Sequence, residues 1–484
     1  MADSTVNGLV DGLTLAPTDL FYVSRSPHTA GYDRKLSAKQ MAGLFSSGDA
    51  ASRMLGSEFG IAFDFLARSA CLRGEARAIE GRGWPEDFLT VSRASTATFV
   101  GRNRLLQTAA ISALRYDHDP GTGEQLGILL EPAGTNLLIR PQELDNAAWI
   151  KTRMTATANA ALAPDGTITA DALVEDSTVA SSHFIQSASV TIAPNTQHVA
   201  SIFLRRGSGT RNVEMRFLDA TASNGIRVKF DLAAGTAAAP LALGLGSSLS
   251  ARITPYGDGY RCEVSCVVDM ISTSARMYLY MTDASAATSY NGDGTSSVIA
   301  WGAQIEAGFR ATSYIPTTTA AVTRAADSAP FILTSSFPFD ATQGTLFLEF
   351  SMPSVTDSSS IYAGIELEEN SSNSLGIRGA AAGTPTVSAT AQNAGSSVVS
   401  LTGVSPQVAG TIYKCALAYR ANDFAFVVNN GAVQTDTSGA LPAATKLTMG
   451  SYAAFTTTRV PIYLRTAMYV SRRMTNAEIG ALTV

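Results

Sequence analysis

The sequence has 484 residues, 45% of them hydrophobic and only 15% charged, with a formal net charge of −5. A chain of this length exceeds what one core usually serves, so two or three domains are expected. No Lys/Arg-rich block occurs, which argues against nucleic acid as the main partner, because phosphate binding needs a concentrated basic surface.

Forty glycines and abundant Ala, Ser and Thr favour short strands joined by tight turns over helical bundles. The opening MADSTVNGLVDGLTLAPTDLF has neither a basic start nor an apolar core, so it does not read as a secretory signal. No apolar run approaches the roughly 18 residues of a membrane span, and membrane insertion is not expected.

Residues 1–55 form a small unit of their own. LFYVSR, with Phe21, Tyr22 and Arg25, reads as a short strand. After a turn, Ser37 to Gln40 fits a capping box opening a short amphipathic helix with Met41, Leu44 and Phe45 on one face. This is too little material for a separate core, so it is expected to fold against another subunit or a partner.

Residues 56–144 alternate short apolar runs with turns (FGIAFDFLA, VSRASTATFV, LRYDHDPGTGEQLGILLE) and read as a β-rich connector, with DPGTG as a turn between strands. From 145 to 327 HVASIFLRR, VEMRFLD, YRCEVSCVV, ARMYLYMT and VIAWGAQIE follow one another as strands. In the last, Ile299, Trp301, Ala303 and Ile305 should share one face, with Gly302, Gln304 and Glu306 on the other. Many short antiparallel strands at this spacing predict a sandwich or jelly roll. Trp149 and Trp301 are read as core.

A second β unit spans 328–484, through GTLFLEFSM, TIYKCALAYR, DFAFVVNNGAVQ, KLTMGS and VPIYLRTAMYV. Asn429, Asn430 and Gly431 supply a tight hairpin, and a Thr475–Glu478 capping box opens a closing helix. The fold class is therefore mainly β: a small N-terminal segment followed by two antiparallel β-sandwich (jelly-roll) domains. WGAQIEAGFRATSYIPTTTAAVTRAAD is the closing strand of the first sandwich and the linker to the second.

Catalytic and metal patterns are sparse. No GxSxG, HExxH or GxxxxGK[ST] occurs. In Asp117-His118-Asp119 the acids should take one strand face and the histidine the other, so the three do not converge. NGDGTSS (Asn291–Ser297) has some oxygen spacing of a calcium loop but lacks the late bidentate Glu, and reads as a strand connection. Cys262 and Cys266 in RCEVSC would sit roughly 13 Å apart on a strand, too far to bridge. With Cys71 and Cys415 they read as reduced, structural thiols. No cofactor, metal or catalytic residue is assigned, and the chain is expected not to be an enzyme.

Carbohydrate binding is one reading of the aromatic positions, because sugars are held by aromatic side chains with polar groups nearby; the other is a tyrosine pair that stabilises neighbouring strands or is buried between subunits. In ARMYLYMTD, alternation puts Met277, Leu279 and Met281 on the core side and Arg276, Tyr278 and Tyr280 on the other. Asp283 follows in the loop, and Arg205, Arg206 and Arg216 from other strands could add donors.

These segments, taken together, resemble the tail fibre or receptor-binding proteins of tailed bacteriophages, of a modular type with a carbohydrate-binding-like jelly roll and a terminal concanavalin A-like (laminin-G-like) sandwich. LAPTDLFYVSR with DRKLSA is similar to the fibre N-terminus. TVSRASTATFV and RYDHDPGTGEQLGILLEPAGTNLLIRPQELDNAAW resemble the lead-in to the jelly roll. YNGDGTSSVIAWGAQIEAGFRATSYIPTTTAAVTRAAD resembles its exit and is the most specific match, and VPIYLRTAMYVSRRMTNAEIGALT is similar to the last strand and helix of the terminal sandwich. AAISAL and EPAGTN depart from the family pattern at an expected Asn-x-Pro-Arg and an arginine.

The resemblance implies a homotrimeric virion protein, assembled in the host cytoplasm. It implies attachment of residues 1–55, with Phe21, Tyr22, Arg25, Met41, Leu44 and Phe45, to tail-tip or baseplate proteins. The β domains would then meet a host-surface glycan or other receptor. A polysaccharide-degrading tailspike and a purely structural baseplate or head-fibre component are the alternatives.

Overall fold

The computed structural model describes residues 91–333, 339–353, 362–382, 384–404, 406–450 and 461–484, together with shorter stretches before residue 91. Among the latter, Leu20–Val23 pairs antiparallel with Arg34–Ser37, setting Phe21 opposite Leu36 and Tyr22 opposite Lys35. Arg25, Met41, Leu44, Phe45 and the helix expected after Ser37 lie outside the described residues.

The chain is nearly all β, in several antiparallel sheets, with one short helix among the described residues. That helix, Asn476–Leu482, opens with the expected capping box: Glu478 N donates to Thr475 Oγ1 at 3.3 Å and Thr475 N to Glu478 Oε2 at 2.6 Å. Asn429 and Asn430 both take positive φ, 47° and 55°, turning the chain between Asp423–Val428 and Gln434–Asp436.

Two sheets face each other between residues 149 and 307. One has six strands in the order Met154–Leu162, Ile168–Glu175, Ser297–Ala307, Gln197–Arg206, Gly259–Val267, Ser247–Tyr256. The other has eight, with Ser274–Thr282 set between Phe184–Ser187 and Asn212–Asp219, and Gly225–Asp231 beyond. Inward residues such as Ile202, Val264, Phe217 and Leu279 share one core with Trp149, Cys262 and Cys266. Burying each large apolar side chain favours the fold by about 1.5–3 kcal/mol.

The strand Ser297–Ala307 departs from the alternation expected of it. A bulge falls where Ser201 and Phe203 pair across it, and Gly302 adopts φ +63°. One extra residue shifts the phase of everything beyond it. Ile299 and Trp301 therefore face an outer cluster with Phe203, Tyr256 and Tyr314, while Ala303 and Ile305 turn into the core.

The second sandwich packs a six-stranded sheet, built on Tyr362–Asn370, Asn373–Ala382, Thr384–Asn393 and Ser396–Val404, against a larger one. At the centre of the larger sheet, Ile462–Val470 pairs with Gln343–Ser351 on one side. Two N-terminal segments share its other side: Gly60–Asp64 runs beside Thr466–Val470, and Ile128–Leu130 beside Ile462–Leu464. Gly127, at φ +121°, passes so close that a Cβ would sit 2.4 Å from the Leu464 carbonyl oxygen. The stretch read as a connector thus contributes strands to the second sandwich.

The lead-in and exit segments meet in a buried ionic cluster. Arg93 pairs with Asp327 at 2.8 Å, and Arg115 with Glu131 at 2.7 Å and with Asp327. Arg324 lies 3.5 Å from Glu131. Ser313 donates to both Glu131 oxygens, from its backbone at 2.8 Å and its hydroxyl at 2.6 Å. The arginines hold the Glu131 carboxyl down at about 2 against the effect of its burial, which alone would raise it.

Candidate functional site

Strand Ser274–Thr282 alternates as its sequence requires. Met277, Leu279 and Met281 enter the core, and Arg276, Tyr278 and Tyr280 lie on the outer side of the eight-stranded sheet, where Arg276 and Tyr280 are half-buried but Tyr278 is buried, only 5% exposed. Phe184 sits opposite Tyr280 and Gln186 opposite Tyr278 on one neighbouring strand. On the other, Glu214 is opposite Tyr280 and Arg216 opposite Tyr278.

These neighbours enclose the Tyr280 ring. Phe184 stacks on it at 4.5 Å between centroids and 23° between planes, and the Arg216 guanidinium lies 3.9 Å from its centroid. The strand order places these two contacts on opposite flanks of the ring, so its rim and hydroxyl, rather than a bare face, are left for a ligand. Tyr278 continues the row, its ring 6.3 Å from that of Tyr280 and tilted 24°. Burial raises the Tyr280 pKa, partly opposed by Arg216, so the hydroxyl stays protonated at neutral pH and both donates and accepts.

The same face is rich in cations. Arg216 pairs with the buried Glu214 at 2.6 Å. On the next strand Arg227 stands directly opposite Arg216, and Lys229 opposite Glu214. Phe184, Gln186, Glu214, Arg227 and Lys229 were not singled out from the sequence. The outward alternation of GIRVKFD, with Ile226, Val228 and Phe230 in the core, already marked Arg227 and Lys229 as surface residues; the strands beside them were not legible.

Three of the expected residues stand elsewhere. Arg205 belongs to Gln197–Arg206, in the opposite layer, and pairs with Asp258 at 3.4 Å. There it borders a cavity of about 200 Å³ lined also by Phe203, Tyr256, Tyr260 and Trp301. Arg206, next to it, reaches Asn212 at 3.0 Å and Asp231 at 3.6 Å. Asp283 organises its own turn, accepting from Ser285 N at 2.9 Å, Ser285 Oγ at 2.7 Å and Ala287 N at 2.8 Å. The structure therefore brings together Tyr278, Tyr280, Arg276 and Arg216, and leaves Arg205, Arg206 and Asp283 apart from them.

The other acidic motifs are engaged by the protein itself. Asp117 and His118 do not take opposite faces as expected: the pairing of their strand shifts between them, and both reach Val100. Val100 N donates to Asp117 Oδ1 at 2.6 Å, and His118 Nδ1 lies 3.1 Å from the Val100 carbonyl oxygen. In NGDGTSS, Asp293 accepts from the backbone and hydroxyl groups of Thr295 and Ser296. Among the described residues no group of three or more His, Cys, Asp or Glu is gathered to hold a metal ion.

No family model matches the chain, and no curated protein matches it. Among solved structures it is similar to the receptor binding domain of botulinum neurotoxin C/D mosaic serotype, at 11% identity and a TM-score of 0.27 over 33% of this chain. The chain spans only 40% of the length of that neurotoxin structure. It is also similar to the CBM40 of Ruminococcus gnavus IT-sialidase, at 13% identity and a TM-score of 0.26, covering 32% of this chain and 93% of that one. The same CBM40 bound to alpha2,3 sialyllactose gives 13% and 0.27 over the same shares. Likeness of this extent transfers no ligand to the present chain.

Proposed function

We propose that this chain is a binding protein of a phage virion: a tail fibre whose first sandwich meets a glycan on the bacterial surface. The observation that carries the binding part is the row of Phe184, Tyr280 and Tyr278 on the outer face of a sheet whose core is already filled from the other side. Phe184 and Tyr280 are half-buried and Tyr278 is buried, so Phe184 and Tyr280, beside the arginines, are the rings within reach of a ligand; aromatic side chains with polar groups nearby are what carbohydrate recognition uses. The virion part rests on the resemblance of the lead-in, exit and terminal segments to tail fibres. Three copies would add avidity to weak single sites through effective concentration. The reading is of a binding rather than a catalytic chain, and the engagement of Asp117 and His118 with the backbone of Val100 is in keeping with it.

The test is adsorption of the full-length protein to host cells in competition with whole phage. Blocked infection, lost on Tyr278→Ala and Tyr280→Ala, supports the reading. A second reading, an architectural spacer, is favoured by the covering of Tyr280 between Phe184 and Arg216. It predicts a correctly assembled protein that neither adsorbs nor competes.

A further inference from the structure

The tyrosine face carries more positive charge than sugar hydroxyls require. Arg276, Arg216, Arg227 and Lys229 emerge on it from three adjacent strands, against the single carboxylate of Glu214. Asp231, at the end of the Lys229 strand, is engaged by its own turn through Ala233 N and Ala234 N, and by Arg206. This local excess stands on a chain whose net charge is −5.

The arrangement is unfavourable as it stands. Arg216 and Arg227 are directly opposed across two strands, where like charges destabilise a sheet. Arg276 is the diagonal neighbour of Arg216 on the other side, since Tyr278, two residues along, is the residue opposite Arg216. Glu214 answers Arg216 alone at ion-pair distance. Arg227 and Arg276 have no carboxylate partner among the described residues, and the Nε of each is buried without a hydrogen-bond acceptor. Guanidinium groups held this way supply the fork that carboxylate and phosphate oxygens fill.

We infer that this face takes an acidic glycan, a polysaccharide whose repeat carries a carboxylate or a phosphate, with the anion seated among Arg216, Arg227 and Arg276. Nucleic acid is the poorer fit, because both flanks of the Tyr280 ring are already covered and Tyr278 is only 5% exposed, which leaves little ring surface for bases to stack on. The inference rests on the binding reading above and names the class of its ligand.

The experiment measures binding of the full-length protein to immobilised polygalacturonate, its fully methyl-esterified form, a glycerol-phosphate teichoic acid, dextran and single-stranded DNA, at low and high salt. The expected result is binding to at least one of the two acidic glycans, weakened at least about tenfold by high salt and by the Arg227→Gln, Arg276→Gln pair. The esterified polymer and dextran should not bind. Arg420→Gln, on the second sandwich, controls for the loss of a positive charge away from this face, and thermal melting checks that each variant is folded. Arg227→Lys, which keeps the charge and loses the fork, should fall between wild type and the double variant.

Binding to the neutral polymers as tight as to the acidic ones, or indifference to the arginine variants, overturns the acidic preference while leaving a glycan-binding face. DNA bound as tightly as the acidic glycans overturns it as well, as does failure of both acidic glycans. The binding reading itself fails separately, when the protein does not adsorb to host cells or adsorbs equally well after Tyr278→Ala and Tyr280→Ala.

Discussion

Arg93 Nη1 and Asp327 Oδ1 lie 2.8 Å apart with both side chains fully buried, although 234 positions separate them in the chain. Asp327 also holds Arg115 and accepts from Glu131 N at 2.9 Å, so one carboxylate ties the lead-in to the exit.

Asp327→Ala removes one of two acids from among three buried arginines. Breaking a buried pair from one side costs about 3–5 kcal/mol, because the remaining charges lose their compensation. Denaturant unfolding should show a loss of this order; a change within about 0.5 kcal/mol, the range of an ordinary surface substitution, would show that the cluster does not secure the junction.

Burial pushes the Asp117 carboxyl from 3.8 up to about 7, against the hydrogen bond from Val100 and the charge of Arg115. Between those values the folded state holds a proton that the unfolded chain has released, so this group's contribution to stability falls as pH rises from about 4 to 7 and is then level. Its ceiling is about 4 kcal/mol. Glu366, raised to about 7 chiefly by burial, acts in the same direction, and Glu131, lowered to about 2, acts oppositely at acid pH. Asp117→Asn keeps an acceptor for Val100 N and should flatten the decline relative to wild type. Parallel stability–pH curves for the two proteins would refute the assignment.

Tyr280→Ala removes a ring stacked between Phe184 and Arg216. The expected loss is about 1–2 kcal/mol of stability, together with reduced adsorption to host cells. Tyr280→Phe keeps the packing and deletes the hydroxyl, so it should restore the stability but not the adsorption. A Phe variant that adsorbs like wild type would show that the hydroxyl makes no contact with the receptor.

Gly302→Ala places a side chain at φ +63°, with its Cβ 3.0 Å from Phe203 Cδ2. The left-handed conformation alone costs about 1–2 kcal/mol, and the bulge that separates the directions of Trp301 and Ala303 depends on it. The melting temperature should fall; an unchanged value would mean that the strand tolerates a straight register there.

Much of this architecture is visible in local pattern. Period-2 alternation set Met277, Leu279 and Met281 apart from Tyr278 and Tyr280, and the Thr475–Glu478 box marked the helix. Alternation fails where one residue is inserted, as at Gly302 and between Asp117 and His118, because a bulge leaves no mark in hydrophobicity. It is also silent on which layer a strand joins. Arg205 and Arg216 both lie in good strand sequences, yet one serves the six-stranded sheet and the other the eight-stranded one. Arg93, Arg115, Glu131, Arg324 and Asp327 each look like an ordinary surface charge until distant segments bring them together.

The first sandwich closes within one continuous stretch, residues 149 to 307, so its strands have all their partners once that stretch is made. The second is different, because Gly60–Asp64 and Ile128–Leu130 rest against Ile462–Val470. At a ribosome adding about 5–20 residues per second, those early strands, each with one neighbour close in the chain, wait some tens of seconds for their second partner. During that interval their apolar sides and one open backbone edge face the cell, and the chain's vulnerability to aggregation and to proteases follows the order in which it is made.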